Sequence, residues 1–264
     1  DELSGEEIIK LILEADVDLL WNGGIGTYVK ASTETQSEVE DRANDSVRVN
    51  ANELKAKVVG EGGNLGFTQK ARIEYAMGGG RINTDALDNS GGVDLSDHEV
   101  NLKIFLHVLM KEGLIKDMSE KNELLENLTE QVVLRVIVHN YMQSFSISLD
   151  ERRAKKEPDI FYELLRYLQR EGILSEKEYS LPTRKEYLAR LSKNISFTRP
   201  ELCIVMAYMK ILVKNSIIQK NTINENIIDK YAISYFPSYI RENFAEMIEK
   251  HPLKREIAST YITN

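Results

Sequence analysis

Residues 58–76 read VVGEGGNLGFTQKARIEYA, and the fold prediction begins with this segment. A β-branched run comes first, glycines follow, and the rest carries apolar residues at helical spacing. A strand, a glycine-rich turn and a helix in this order form the βα unit of a parallel sheet, and some such turns bind dinucleotides. The glycines at 60, 62 and 66 are spaced G-x-G-x-x-x-G, which is looser than the G-x-G-x-x-G fingerprint. The segment therefore predicts either a dinucleotide-binding turn or a tight strand-to-helix turn.

A second strand-plus-glycine turn lies upstream, where VDLLW (17–21) runs into NGGIGTYVK. GGGRINT (78–84) is a further candidate strand. Beyond about residue 95 the glycines thin out and long helical patterns dominate. We therefore predict an α/β fold in which a parallel sheet forms part of a Rossmann-like domain over residues 1–95, followed by an all-α region over residues 96–264. Helices are expected to dominate overall.

Helix faces and helix starts can be predicted from spacing. Two sets of apolar residues each fall on one helical face: Leu102, Phe105, Leu106 and Leu109, and then Leu202, Val205, Met206, Met209 and Val213. Ser4, Ser96, Thr183 and Thr198 each have a glutamate three positions later, as in a capping box, and predict helix starts. The charged run DERRAKKEPD (150–159) is typical of a solvated helix or a linker.

Composition excludes several classes of protein. The chain has 264 residues and a formal net charge of -8, with a pI of ≈ 5.3, so neither nucleic acid nor an anionic membrane is an expected partner. No apolar run approaches the ~20 residues that cross a bilayer, and the acidic start is unlike a signal peptide, so we predict a cytoplasmic location. Cys203 stands among residues at core spacing and predicts packing only. Because the chain begins without methionine, we expect it to be part of a longer protein.

Signals for metal binding and for a covalent nucleophile are weak. Asp94, Asp97 and His98 cluster, but the H-E-x-x-H pattern that starts at His98 has Leu102 in place of its second histidine. No G-x-S-x-G motif is present. We predict no metal site and no covalent hydrolase. The other histidines are expected to be structural: His107, His139 and His251.

Residues 83–104, NTDALDNSGGVDLSDHEVNLKI, contain a candidate anion site. If Ser96 opens the long amphipathic helix, the free amides and the dipole of that helix favour a carboxylate or phosphate there. The simpler alternative is that Ser96 is a helix cap alone, and the two readings are compatible.

These segments also carry a family resemblance. The order WNGGIGTYVK, VVGEGGNLGFTQKARIEYA and GGGRINTDALDNSGGVDLSDHEVNLKI resembles the distal half of the nucleotide-binding domain of the large bacterial NAD-specific glutamate dehydrogenases. FTRPELCIVMAYMKI (197–211) and the segment from 235 to 264 resemble their helical C-terminal region. Essentially the whole chain is covered.

The resemblance implies roles for individual residues. Glu61-Gly62-Gly63-Asn64 resembles the E-G-A-N segment of the wider glutamate dehydrogenase superfamily. Asn89-Ser90-Gly91-Gly92-Val93 resembles the N-A-G-G-V segment of the same superfamily. The resemblance implies NAD as the cofactor. Asn64 and Asn89 are then expected near its nicotinamide end, and Asn22 and Gly23 beside it. Val93 and Ser96 are expected at the substrate, with Ser96 holding the side-chain carboxylate of glutamate.

The resemblance also implies what lies elsewhere. The first glycine fingerprint, the ribose-binding carboxylate and the catalytic residues belong upstream in this family. Asp85 follows Gly66 at about the spacing of a ribose-binding carboxylate, but the resemblance removes most of its claim to that role. The chain alone is expected to be inactive. The parent protein would interconvert L-glutamate and 2-oxoglutarate as a homo-oligomer. Two alternatives stay open: a dehydrogenase for another amino acid, and a helical regulatory or assembly module without a catalytic role.

Overall fold

A computed structural model describes residues 2–175, 179–220 and 222–264. The chain divides into two compact units. The first unit comprises Asp1–Ser90 and Gln143–Tyr208, and the second comprises Gly91–Met142 and Met209–Asn264. The predicted division into residues 1–95 and 96–264 stays a prediction.

The described residues of the first unit form four short strands: β1 (Leu19–Asn22), β2 (Val29–Lys30), β3 (Val49–Asn50) and β4 (Val58–Glu61). β1 pairs with β4 and β2 with β3, and both pairs are parallel, as predicted. The candidate strand at 78–84 contributes an isolated parallel bridge between Arg81 and Val58. The sheet component is therefore parallel but small.

Helices dominate the described residues: α1 (Gly5–Leu13), α2 (Gln36–Val39), α3 (Gln69–Met77), α4 (Asp85–Asp88), α5 (Ser90–Lys111), α6 (Met118–Lys156), α7 (Pro158–Arg170), α8 (Arg184–Leu191), α9 (Arg199–Lys220), α10 (Glu225–Tyr235), α11 (Ser238–Ile248) and α12 (Lys254–Thr263). The charged run at 150–159 is mostly helical, because α6 continues to Lys156 and α7 begins at Pro158. Within the described residues, no helix combines the length and the apolar character needed to cross a bilayer.

The strand, turn and helix predicted for residues 58–76 are confirmed as β4, a loop and α3. The side chain of Thr68 caps α3 by accepting from the Ala71 amide. α3 and the strands share a small core of Val29, Val49, Ala51, Val59, Phe67, Ala71, Tyr75 and Ile82. This core holds the loops that follow β1 and β4.

Three of the four predicted helix starts are confirmed. Ser4 and Thr183 form complete capping boxes at α1 and α8, and Thr198 bonds to Glu201 directly before α9. The start predicted at Ser96 is wrong, because α5 already begins at Ser90. Serine and glutamate three residues apart also lie on one face inside a helix, so the spacing alone does not distinguish a cap from a helix interior.

The predicted apolar face of α5 is confirmed. Leu102, Phe105, Leu106 and Leu109 are buried in the core of the second unit. They share this core with residues of α6 and α10, including Leu128, Val132, Val136, Ile228 and Ala232. Along α9, Leu202 and Val205 are buried and Met206 and Met209 are half-buried, whereas Val213 is exposed.

Candidate functional site

The loops that follow β1 and β4 lie side by side at the carboxyl ends of these strands. The parallel register pairs Asn22 with Glu61, and the amides of Gly62 and Gly63 both donate to the Asn22 carbonyl at 2.9 Å. Ligands of parallel α/β sheets bind outside the carboxyl ends of the strands. This edge of the first unit is therefore its candidate functional site.

Side-chain and backbone packing explains the glycines of the β4 loop. A Cβ at Gly62 would lie 2.4 Å from the Trp21 ring, one at Gly63 2.3 Å from the Gly24 carbonyl oxygen, and one at Gly66 1.7 Å from the Asn22 side-chain nitrogen. Each close approach needs a residue without Cβ. Close packing of the two loops therefore accounts for these glycines, as the tight-turn reading expects.

Asn64 and Asn89, predicted from the resemblance to lie at one place, are brought together. The Asn89 Nδ2 donates to the Asn64 Oδ1 at 2.9 Å. Asn64 is exposed in the β4 loop, and Asn89 is half-buried as the C-cap of α4. The neighbouring Leu65 has a positive φ of 58°, a backbone conformation that is rare for residues other than glycine. The structure thus places two amide side chains in contact at the mouth of the loop.

A buried network of charged side chains anchors the loop that follows β4. The Arg72 guanidinium bonds to both oxygens of Glu61, at 2.7 and 2.9 Å, and lies 3.2 Å from Asp85. Asp85 accepts from the Leu65 amide at 2.8 Å, and Glu61 accepts from the Phe67 amide at 3.2 Å. The loop that carries Asn64 is therefore fixed on both sides of the asparagine.

The central pair of this network is almost inaccessible to solvent, with Glu61 0% and Arg72 5% exposed in their side chains. Burial would lower the pKa of Arg72, but the hydrogen bond and the charge of Glu61 raise it. Burial also raises the pKa of Glu61 against the opposing effect of Arg72. The guanidinium stays charged, and its two hydrogen bonds together with the Phe67 amide favour an ionised Glu61.

Asn22 contributes a buried polar atom to the same edge. Its Oδ1 accepts from the Gly24 amide at 3.4 Å, while its Nδ2 is buried and has no hydrogen-bond partner in the described part of the chain. Asn22 lines a cavity of about 240 Å³ together with Trp21 and Tyr28. Gly23, the other predicted residue of this loop, is exposed. An unpaired buried amide donor beside a cavity is a site where a ligand acceptor can bind.

The helix start on which the anion site at Ser96 was predicted is wrong, so free helix amides do not support an anion there. Ser96 lies inside α5, where its hydroxyl donates to the Gly92 carbonyl at 3.3 Å, and the amides of this turn are engaged in the helix. Ser96 and Val93 are both exposed residues of the second unit. Their predicted contact with substrate rests on the resemblance alone.

The remaining polar candidates have structural surroundings. Cys203 is buried, and burial raises the pKa of its thiol to about 12, which fits the predicted packing role. His251 is buried and lies 3.1 Å from the Asn101 carbonyl oxygen. Across the described ranges, no three His, Cys, Asp or Glu side chains are arranged to hold a metal ion.

Comparisons with known proteins show the family of the chain. Residues 1–150 match the family described as bacterial NAD-glutamate dehydrogenase, catalytic domain, and residues 194–264 match glutamate dehydrogenase, C-terminal. The chain thus belongs to the glutamate dehydrogenases as a class. More narrowly, it belongs to the bacterial NAD-glutamate dehydrogenase family, which confirms the resemblance seen in the sequence.

Similar proteins, each named NAD-specific glutamate dehydrogenase, come from several bacteria. The chain is 45% identical to that of Pseudomonas aeruginosa over 266 residues, 42% to that of Mycobacterium tuberculosis over 263, and 40% to that of Halomonas elongata over 266. All of this chain is covered in each case, but it spans only 16% of the length of each relative.

Proposed function

We propose that this chain is part of an NAD-dependent glutamate dehydrogenase and that its first unit holds the nicotinamide end of NAD. The proposed reaction is the reversible oxidative deamination of L-glutamate to 2-oxoglutarate and ammonium, with a hydride passing to NAD. The contact between Asn64 and Asn89 at the carboxyl edge of the parallel strands carries the proposal.

The amide pair fits the chemistry of a carboxamide. The contact uses the Asn89 Nδ2 and the Asn64 Oδ1, so the Nδ2 of Asn64 and the Oδ1 of Asn89 are the groups left to offer a ligand. A primary carboxamide needs one donor and one acceptor. The orphaned Nδ2 of Asn22 adds a second donor at this edge. These groups are the ones that would hold the nicotinamide of NAD.

The role of these residues is positional. NAD, when bound, supplies the acceptor for the hydride. Asn64 and Asn89 would orient its carboxamide, and the Glu61–Arg72 pair would keep their loop rigid. Holding donor and acceptor in a reactive geometry is a large part of what such a site contributes to the rate.

The proposal also covers the division of the chain into domains and the residues that contact glutamate. The parallel strands β1 and β4, each followed by a glycine-rich loop, support assigning residues 1–95 to the distal half of a Rossmann-like domain and residues 96–264 to a helical domain. Family membership supports Val93 and Ser96 as residues that contact glutamate. It equally supports a cytoplasmic homo-oligomer, for which Leu134, Ile137 and Tyr141 on α6 offer exposed apolar surface.

Glutamate-dependent formation of NADH tests the proposed reaction. The complete polypeptide that contains this chain is expected to form NADH from NAD only when glutamate is present, whereas the 264-residue chain alone is expected to form none. A panel of amino acids tests the alternative that the substrate is not glutamate. A kcat/KM higher for another amino acid than for glutamate would make that amino acid the substrate. Glutamate-dependent NADH formation by the isolated chain would disprove the proposal that its catalytic groups lie elsewhere.

The helical module is the alternative from another class. Truncating the complete polypeptide before residue 150 and measuring both turnover and oligomer size separates the two roles. Loss of assembly with retained turnover would identify a module for assembly alone.

A further inference from the structure

A second cavity, of about 610 Å³, lies entirely within the second unit. Its apolar wall includes Val100, Val138 and Ile257, and its polar wall includes Asp94, His98 and His139. A pocket of this size with an apolar wall and a few convergent polar groups is typical of a small-molecule site.

Asp94 connects two histidines at this cavity. The His139 Nδ1 lies 2.8 Å from one oxygen of Asp94, and the His98 Nε2 lies 3.7 Å from the other. The remaining ring nitrogens, His98 Nδ1 and His139 Nε2, are buried and have no hydrogen-bond partner among the described residues. Burying a polar atom without a partner is costly, so these atoms point to a missing ligand.

The state of the rings defines what they can bind. The His98 side chain is 4% exposed, and desolvation lowers its pKa to about 4 against the attraction of Asp94, so it is neutral at physiological pH. A proton on the His98 Nε2 that faces Asp94 leaves a lone pair on Nδ1. His98 therefore offers an acceptor, and the complementary ligand group is a donor.

Carboxylates of Asp94, Asp97 and Glu256 line the cavity, together with the cationic side chains of Lys214 and Arg135. Arg135 already donates to the carbonyls of Ser234 and Phe236 at 2.5 and 3.2 Å, and Lys210, outside the lining, lies close enough to Asp94 for their charges to interact. The carboxylates of Asp97 and Glu256 are therefore the ones that a cationic ligand group would contact.

Aromatic rings complete the arrangement. Tyr235 and Tyr261 both line the cavity, with ring centroids 6.4 Å apart and an interplanar angle of 88°. His98 stacks on Tyr235 at 4.2 Å, whereas Tyr261 is 37% exposed. Carboxylates together with an accessible tyrosine ring are suited to organic cations, because the ring face attracts positive charge.

We propose that this cavity binds a small organic cation, an ammonium or guanidinium group on an apolar stem. The cationic group is held by the carboxylates and the Tyr261 ring, and the stem packs against the apolar wall.

The test is a binding titration of the complete polypeptide with three probes of equal length: n-hexylammonium, hexanoate and 1-hexanol. Calorimetry and saturation-transfer NMR are expected to show saturable binding of hexylammonium. Hexanoate and 1-hexanol are expected to bind at least about tenfold more weakly. Equal binding of all three, or no saturable binding of hexylammonium, would overturn the proposal. The second outcome includes the case in which another part of the polypeptide fills the cavity.

Paired variants locate the binding. Asp97→Asn together with Glu256→Gln changes two exposed rim residues and is expected to weaken hexylammonium binding about fivefold. The control is Glu123→Gln with Glu126→Gln, which removes the same charge from exposed residues of α6 that do not line the cavity. Tyr261→Phe, which keeps the ring, is expected to bind normally, and Tyr261→Leu to bind less. Equal affinities for the rim pair and the control pair would contradict the assignment.

Discussion

The Asn89 Nδ2 donates to the Asn64 Oδ1 at 2.9 Å, across 25 residues of sequence. This bond joins the loop after β4 to the end of α4 and presents two amides at the carboxyl edge of parallel strands. The bond leaves the Asn64 Nδ2 and the Asn89 Oδ1 for the contact that we propose with the nicotinamide carboxamide.

Replacing Asn64 separates ligand binding from loop structure. Asn64→Asp keeps an acceptor for Asn89 but removes the donor Nδ2, so we expect the KM for NAD in the complete polypeptide to rise about 10-fold while the melting temperature is unchanged. Steady-state kinetics and thermal unfolding measure the two effects. Asn52→Ala, an exposed asparagine of the same unit, is the control and should alter neither.

Breaking the buried ion pair is expected to destabilise the first unit. Arg72→Gln leaves Glu61 buried without its main partner, which typically costs about 3–5 kcal/mol. Urea unfolding followed by Trp21 fluorescence would report the loss. The double variant Glu61→Gln, Arg72→Gln should recover much of it, because no unpaired charge remains.

The exposed ion pair Lys57–Asp18 provides a contrast. Its side chains are 72% and 88% exposed, so Lys57→Ala should leave the unfolding midpoint essentially unchanged. If Lys57→Ala and Arg72→Gln had equal effects, the argument that the buried network fixes the loop would be wrong.

Two adjacent glycines should respond differently to alanine. The added Cβ meets the backbone carbonyl of Gly24 at position 63 but only the ring of Trp21 at position 62. Trp21 is 60% exposed and can move, whereas the Gly24 backbone is tied into the neighbouring loop. We expect Gly63→Ala to cost about 2–3 kcal/mol and Gly62→Ala less than about 1 kcal/mol. The unfolding midpoints of the two variants measure these losses of stability. A larger loss for Gly62→Ala than for Gly63→Ala would contradict the packing described for the two loops.

Ser96→Ala tests the proposed substrate contact. Because Ser96 lies inside α5 and caps no helix, its loss should leave the melting temperature unchanged and raise the KM for glutamate far more than the KM for NAD. Steady-state kinetics of the complete polypeptide measures both constants. Equal changes in the two constants would remove Ser96 from the substrate site.

Local sequence signals predicted the local structure well. The β-branched run, the glycines and the helical spacing of residues 58–76 correspond to β4, its loop and α3. Parallel pairing followed from the order of strand, turn and helix, because antiparallel neighbours need only a short hairpin. The capping pattern failed at Ser96, since the same two residue types fit the interior of a helix.

Tertiary features could not be predicted from local patterns. The sequence does not distinguish Glu61 and Arg72 from the many other charged residues. Nothing in their spacing shows that both side chains are buried. The glycine spacing imitated a nucleotide fingerprint, although contacts with Trp21, Gly24 and Asn22 account for these glycines. The roles proposed for Asn64 and Asn89 came from family resemblance, and the contact between them became visible only in the structure.

The most direct test of the central claim uses a cofactor analogue. In 3-acetylpyridine adenine dinucleotide a methyl group replaces the carboxamide NH2, so the analogue cannot donate to the Asn89 Oδ1. Dissociation constants of NAD and of this analogue are measured for the complete polypeptide and for its Asn89→Ala variant. If Asn89 binds the carboxamide, the unmodified protein prefers NAD by about 10-fold and the variant loses most of that preference. An unchanged preference in the variant would contradict the claim that this amide pair holds the nicotinamide end of NAD.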